Sequence, residues 1–378
     1  MHIIDRYALR LFFKVLLICW ISLTGLSLVI DAFNNLDEFQ AHSDRTNSTV
    51  WVTLFNYYSI RALWFFDRSA GLLTLIAGVF ALAWMKKSNE LTALMAAGIR
   101  PARVVRPILG GAAFVAALAL VNREFVIPRF AVELTKKAQT LDDHYPRPFL
   151  TRYDANDVAI EGKHAIPAES LIVEPAFAMP IALRSFSRRV IGKKATYQPA
   201  SGERPAGYLI QGVSQPTEIL KRKTARIDGK VVIYTPLEAS WLKPDECFVA
   251  SNIDFQELVA GTRMRQFLST WQMVGFLYQE NSQYSTDVRV AIHSRIVQPV
   301  LDLCLLLLGI PLVLSRRDRS VFLVAGQCIL VVCGFMIVVV ACQAMGTTGY
   351  LLSPAAAAWV PLLIFVPLTT YVTQPVWE

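Results

Sequence analysis

The chain has 378 residues, of which 54% are hydrophobic and only 17% charged, with a formal net charge of +8. That is too apolar for an ordinary soluble enzyme. Lys and Arg sit at the ends of apolar runs, as the positive-inside rule requires, rather than in a basic stripe with interleaved aromatics, which argues against nucleic acid as a partner.

The apolar runs are about twenty residues long, the length that crosses a hydrocarbon core of roughly 30 Å, so the chain reads as an integral membrane protein. The N-terminal stretch "MHIIDRYALRLFFKVLLICWISLTGLSLVIDAF" lacks a small-x-small cleavage site. It reads as a retained first span, at about 11–32, with Arg6, Arg10 and Lys14 on the cytoplasmic side. A polar stretch at about 34–59 is expected before a second span at about 62–85. That span closes on "WMKK", whose Lys86 and Lys87 mark the cytoplasm. A third span, about 104–122, is rich in Ala and Gly.

A region of about 125–265 follows with no long apolar run. Short β-type stretches lie in it between turn residues: "SLIVEP", "RRVIGKKATY", "GYLIQGV" and "GKVVIYT". Asp228-Gly229 suits a tight hairpin turn. We expect a small all-β domain, a sandwich or jelly roll, on the non-cytoplasmic side. A linking helix at about 267–281 and spans at about 295–314, 321–344 and 355–373 complete the chain. Arg316, Arg317 and Arg319 make the loop after span 4 cytoplasmic, and the uncharged "GTTGYLLSP" lies outside. The expected fold is thus an α-helical membrane protein of six transmembrane helices with an inserted, jelly-roll-like periplasmic β domain. Its divisions are 1–124, 125–265 and 266–378, with both termini inside.

Between spans 2 and 3 stands "SNELTALMAAGIRPARV", residues 88–104. Ser88 is expected to cap a short helix at about 88–99, with Glu90 in its first turn. Leu91, Leu94, Met95 and Gly98 follow the spacing of one helix face, Gly98 ends it, and Pro101 lies just beyond. One reading is an amphipathic helix resting on the membrane or the spans. The other is a coupling helix docking into a groove on a cytoplasmic motor, its small residues allowing close packing. No phosphate-binding G-x-x-x-x-G-K-[ST] loop occurs; "GKK" at 192–194 and "GKV" at 229–231 lack the preceding glycine. ATP, if used, is bound by another polypeptide.

Charges inside spans are costly and so are functional candidates. Asp31 ends span 1, and Arg61, Asp67 and Arg68 open span 2, all on the outer side. Arg61 and Arg68, seven residues apart, share a helix face about 10 Å apart along the axis, a spacing able to hold an anionic headgroup. The plainer alternative pairs Asp31 with Arg68 and lets Arg61 reach for the interface. Asp302, in "QPVLDLCLLLL", faces a cavity, meets another subunit's cation, or is a neutral acid bonded to a neighbouring helix. His293 and Arg295 stand at the outer mouth of the same span. Of six cysteines, five lie in apolar runs and Cys247 has no partner, which leaves neither a disulfide framework nor a metal motif. "NST" at 47–49 matches a glycosylation sequon and is assigned no role.

The chain resembles the LptF/LptG (YjgP/YjgQ) permease family, the transmembrane subunits of a lipopolysaccharide export ABC transporter. The likeness rests on "IIDRYALRLFFKVLL", on "SNELTALMAAGIRPARV", which matches that family's coupling helix, and on "HSRIVQPVLDLCLLLLGIPLVLSRRDRS". It implies a bacterial inner-membrane subunit that pairs with a second LptF/LptG-type permease. A dimeric cytoplasmic ABC ATPase would dock on the coupling helices and drive lipopolysaccharide, or a related glycolipid, to a periplasmic bridge protein. Carried across, Glu90 becomes the coupling acid, with Leu91, Leu94, Met95, Ala97, Gly98, Ile99 and Arg100 as docking surface. Asp31, Arg61 and Arg68 remain headgroup candidates and Asp302 an intramembrane charge; no cofactor is implied beyond the partner's ATP. The rival classes are an enzyme acting on envelope lipids and a scaffold. The first finds only His164 and scattered acids (Asp154, Asp157, Glu161), without G-x-S-x-G or H-E-x-x-H. The second has no need of six spans.

Overall fold

Apolar runs of this length can satisfy their backbone polar groups in a bilayer only as helices or closed barrels, and here they form helices. The computed structural model describes residues 3–202, 204–278, 285–314, 321–349 and 351–377. Among these residues, six helices are long and apolar enough to cross a membrane. They lie in α1 (Ile3–Asn34), α3 (Val50–Lys87), the run that begins with α5 (Pro101–Val121), α9 (Ser285–Leu314), α10 (Val321–Thr348) and α11 (Pro354–Trp377). The arginines of the loop after span 4, and residues 279–281 of the expected linking helix, lie outside the described residues.

Several helices run further than their apolar cores. The stretch expected as polar is helical: α2 (Leu36–Thr46) fills most of its first half, and α3 begins at Val50 rather than near 62. Asp37 and Glu38 in the first turn of α2 and Arg45 in its last complement the helix dipole. Phe39, fully buried, packs edge-on against Tyr57 of α3. Asn47, in the left-handed conformation at φ 49°, turns the chain into α3. At 38 residues, α3 is about 57 Å long, well beyond a hydrocarbon core, so its first turns stand at the β-domain end.

Span 3 likewise overruns the expected boundary at 124. After α5, a π-helical turn covers Asn122–Val126 and a 3-10 turn Ile127–Phe130, and α6 (Ala131–Thr135) completes the run. Pro128 supplies the reason: it has no N–H and crowds the carbonyl four residues back, so the hydrogen-bond ladder changes step there. The linking helix starts later than expected. It is α8 (Thr270–Tyr278), preceded by α7 (Phe255–Ala260) and a 3-10 stretch, Gly261–Phe267.

Helices α3 and α9 form the centre of the bundle, with half of each apolar window buried, against 17% for α1 and for α10. Close approach at the centre depends on glycine. A Cβ on Gly78 would collide with Leu306, and one on Gly71 with the Asp302 carboxylate. Helices α1 and α5 pack on one side of this pair, and α10 and α11 on the α9 side.

Between α6 and α7 lies the inserted domain, all antiparallel and in two sheets. Its first four-stranded sheet has the order β1-β2-β5-β6: β1 (Arg152–Tyr153), β2 (Ala159–Glu161), β5 (Ala176–Ala178) and β6 (Arg189–Ile191). The seven-stranded sheet follows the order β3-β4-β7-β8-β11-β10-β9. It comprises β3 (His164–Ile166), β4 (Leu171–Val173), β7 (Lys194–Gln198), β8 (Gly207–Gln211), β9 (Ala225–Ile227), β10 (Lys230–Tyr234) and β11 (Glu246–Ala250). Each quoted β-type stretch holds one or two of these strands. Asp228 and Gly229, at φ 48° and 80°, make the two-residue turn between β9 and β10. The core between the sheets is built from Ile160, Phe177, Val190, Tyr208, Ile210 and Val249, all fully buried.

Candidate docking helix and intramembrane polar cluster

The loop between α3 and α5 forms α4 (Glu90–Ala96). It is shorter than the expected 88–99, and its N-terminus is built differently. Ser88 does not cap it: the Ser88 hydroxyl donates back to the Trp84 carbonyl at 3.0 Å and closes α3. The first helical bond instead runs to Asn89, whose φ of 58° reverses the chain between the two helices. The far end follows the sequence expectation. Gly98, at φ 79°, donates to Met95 O, and Ile99 donates to Leu94 O, both at 3.0 Å. These are the paired bonds of a Schellman stop, and Pro101 then opens α5.

The faces of α4 divide sharply. Leu91 is 2% exposed and sits in the bundle core with Ala8, Phe12, Val104 and Ile108, with Leu94 packed alongside. Leu91 therefore anchors the helix rather than lining its outer surface. Ala93, Met95, Ala96, Ala97 and Gly98 are exposed, as is Arg100 just beyond; Ile99 is half-buried. Glu90 accepts a hydrogen bond from the Tyr7 hydroxyl at 3.1 Å, and Arg103 approaches Asp5 at 3.9 Å. Lys86 donates to the Val313 carbonyl at 3.2 Å, tying the end of α3 to that of α9.

At the other end of the bundle stands a polar cluster that the sequence reading named only in part. Asp67 of α3 receives Arg123 Nε on both carboxylate oxygens, at 3.0 and 3.1 Å. Glu124 accepts both the backbone N–H and the hydroxyl of Thr270, at 2.8 and 2.5 Å, and so holds the start of α8. Arg295 donates to the carbonyls of Leu268 and Gln266, at 2.5 and 3.0 Å, and thus braces the chain entering α8. Asp302 takes a 2.8 Å bond from Gln298, one turn back on its own helix, and not from a neighbouring one. Arg123, Glu124, Arg295, Gln298 and Asp302 line a cavity of about 240 Å³ between α5, α8 and α9.

The signal for the Asp67–Arg123 pair was present in the sequence. Asp67 lies nineteen residues before Lys86, and Arg123 twenty residues after Arg103. Antiparallel helices of equal rise bring two such charges to about the same depth. The signal for Glu124 and Arg295 was absent: Arg295 meets only backbone carbonyls, and Glu124 meets the N–H and hydroxyl of a threonine 146 residues away.

The headgroup candidates separate. Asp31 accepts from the Tyr58 hydroxyl at 2.8 Å and from Asn35 at 3.2 Å, so it is engaged without Arg68. Arg61 lies over the Tyr57 ring at 3.3 Å and donates to the carbonyls of Tyr57 and Lys136, which pins α3 to the chain entering the β domain. Arg68 is exposed. In the β domain, Asp154 caps its own turn through the N–H groups of Asn156 and Val158, and Glu161 meets Arg189 at 3.7 Å. Burial pushes the Asp154 carboxyl up to about 6 and the Cys247 thiol up to about 12. Among the described residues, no cluster of three His, Cys, Asp or Glu side chains could hold a metal.

Six apolar helices, a β domain inserted after the third, and a short stopped helix seated between the second and third define a multi-pass membrane protein. The model of the family described as lipopolysaccharide export system permease LptF/LptG matches residues 6–146 and 229–374. The chain belongs to that family. The match takes in α4 and the apolar helices and leaves out 147–228, the greater part of the β domain. A comparison with curated proteins returns no match.

Proposed function

We propose that this chain is the membrane subunit of an ABC-type exporter of the bacterial inner membrane, which uses the work of a separate cytoplasmic ATPase to lift lipopolysaccharide, or a related glycolipid, towards a periplasmic bridge. Family membership supports the export role. The observation that carries the coupling to a motor is the division of α4: Leu91 is locked into the bundle while Met95, Ala97 and Gly98 face outward beside Glu90. A helix with one face anchored in a rigid core transmits a push instead of rolling under it. Its small outward residues let a partner's groove approach closely.

Force entering at α4 passes through Leu91 and Leu94 to α1 and α5, which share that core. Helix α1 packs on α3 and α5 and helix α10 on α9 and α11, and both keep most of their apolar faces uncovered. Leu17, Ile21 and Ile30 on α1, and Leu330 and Ile337 on α10, are more than half exposed. This supports a second permease subunit and lipid acyl chains as their neighbours. Asp31 and Arg61 serve first as braces, and Arg68 is the cation left open to a lipid phosphate.

The test is association. In detergent, the full chain is expected to co-purify with the ATPase of the same export system, and Glu90→Lys to weaken that association with no change in the chain's thermal unfolding. Undiminished association of the folded variant would sink the docking assignment.

A further inference from the structure

The bond between Tyr7 and Glu90 joins two parts of the chain 83 residues apart, and nothing in the helix geometry of α4 requires it. Glu90 begins α4; Tyr7 stands in the second turn of α1 and is 40% exposed. The Tyr7 hydroxyl donates to Glu90 Oε1 at 3.1 Å, while Oε2 is turned inward, buried and without a hydrogen-bond partner. One oxygen of the carboxylate is therefore held at the surface by the phenol, and the other is out of reach of an external donor. A carboxylate oxygen has two lone pairs, so Oε1 retains an acceptor site while bonded to Tyr7.

The surroundings reinforce this arrangement. Ala8 and Phe12, one and five residues after Tyr7, are fully buried in the cluster that holds Leu91, with Ile4 packed against it. Asp5 lies 3.9 Å from Arg103 in the first turn of α5. The first turns of α1 are thus the seat of α4, and Tyr7 is the polar contact by which that seat reaches the Glu90 side chain.

We infer that Tyr7 is a positioning residue of the docking site: its hydroxyl holds the Glu90 carboxylate in the rotamer that a cationic partner group meets. This rests on the docking reading of α4 given above. A free glutamate on a surface must give up rotamer freedom when a partner takes it, and that loss subtracts from affinity. Tyr7 removes part of the loss beforehand. It also makes Glu90 and α1 move together, so a pull on the carboxylate is felt by α1 as well as by α4.

The experiment uses the full chain in detergent and the purified ATPase of the same export system as probe, with binding measured for wild type, Tyr7→Phe, Glu90→Ala and the double variant. Tyr7→Phe keeps the ring and removes only the hydroxyl. It is expected to raise Kd by about 3- to 10-fold, the worth of one immobilised side chain. In the Glu90→Ala background, Tyr7→Phe is expected to change Kd less than about 1.5-fold, because the hydroxyl then has nothing to hold. A merely structural role for Tyr7 would give equal effects in both backgrounds and would overturn the inference. So would a Tyr7→Phe variant that binds like wild type while Glu90→Ala binds weakly, which leaves the docking reading intact. If Glu90→Ala also binds like wild type, both fall together.

Discussion

Replacing Asp67 with Asn tests whether the polar cluster at the β-domain end is a paired charge system or a set of independent contacts. The substitution keeps the shape of the side chain and removes its charge, leaving Arg123 one neutral amide oxygen in place of the two carboxylate oxygens it meets at 3.0 and 3.1 Å. The Arg123 side chain is 20% exposed and that of Asp67 11%, so the pair is largely shielded from water. Breaking such a pair costs about 3–5 kcal/mol, against less than about 1 kcal/mol for an exposed pair. Arg295 lines the same cavity as Arg123, and its like charge adds to the cost of leaving Arg123 unpaired. The assay is unfolding of the detergent-purified chain. Asp67→Asn is expected to lose about 3–5 kcal/mol, and Asp67→Asn with Arg123→Gln together to recover most of it, because no unpaired charge then remains. A single variant within about 0.5 kcal/mol of wild type would refute the reasoning, as would single losses that simply add in the double.

Two further outcomes are expected. Asp154, fully buried in the β domain, has its carboxyl raised from the ordinary 3.8 to about 6, so the folded domain binds the proton more tightly than the unfolded chain. The added stability is full below about pH 4 and is lost as pH rises through about 6. At about 1.4 kcal/mol per pH unit it amounts to about 3 kcal/mol. Glu257 is shifted in the same direction by burial. Hydrogen exchange of the β1–β2 amides in the intact chain, corrected for intrinsic rates, should show more protection at pH 5 than at pH 7.5. Asp154→Asn should remove most of that difference; a flat wild-type profile would count against it. Gly98→Ala meets no neighbour but places a Cβ at φ 79°, at a cost of about 1 kcal/mol. The amides of residues 98 and 99 should then exchange about fivefold faster, and unchanged rates would show that the Schellman stop does not depend on glycine.

Apolar run length and the placement of Lys and Arg were enough to read six spans, and strand and turn residues the inserted β domain and the stop at Gly98, because these are local consequences of hydropathy and backbone conformation. The start of α4 was misplaced because Ser88 and Asn89 are equally plausible caps, and the choice lay with Trp84, whose carbonyl takes the serine hydroxyl. The extension of α3 to Val50 was hidden because α2 is too polar for a hydropathy window and Asn56, Ser59 and Arg61 interrupt the apolar run that follows it. What stabilises α2 and the first turns of α3 is Phe39 packed on Tyr57 and Tyr58, a contact between separate helices.

The same division holds for the site. Glu90, Met95 and Gly98 stand out in the sequence as a short stopped helix between two spans, and the cost of charge in a membrane singles out Asp31, Arg61, Arg68 and Asp302. Which of these is free and which is spoken for was decided only by the packed bundle. Arg61 is taken by Tyr57 and a carbonyl 75 residues away, Asp31 by Tyr58, and Glu90 by Tyr7. Hydropathy and turn chemistry act along the chain and can be read from neighbours in sequence. A buried charge is satisfied by whichever donor or acceptor the fold brings beside it, and that partner has no fixed spacing.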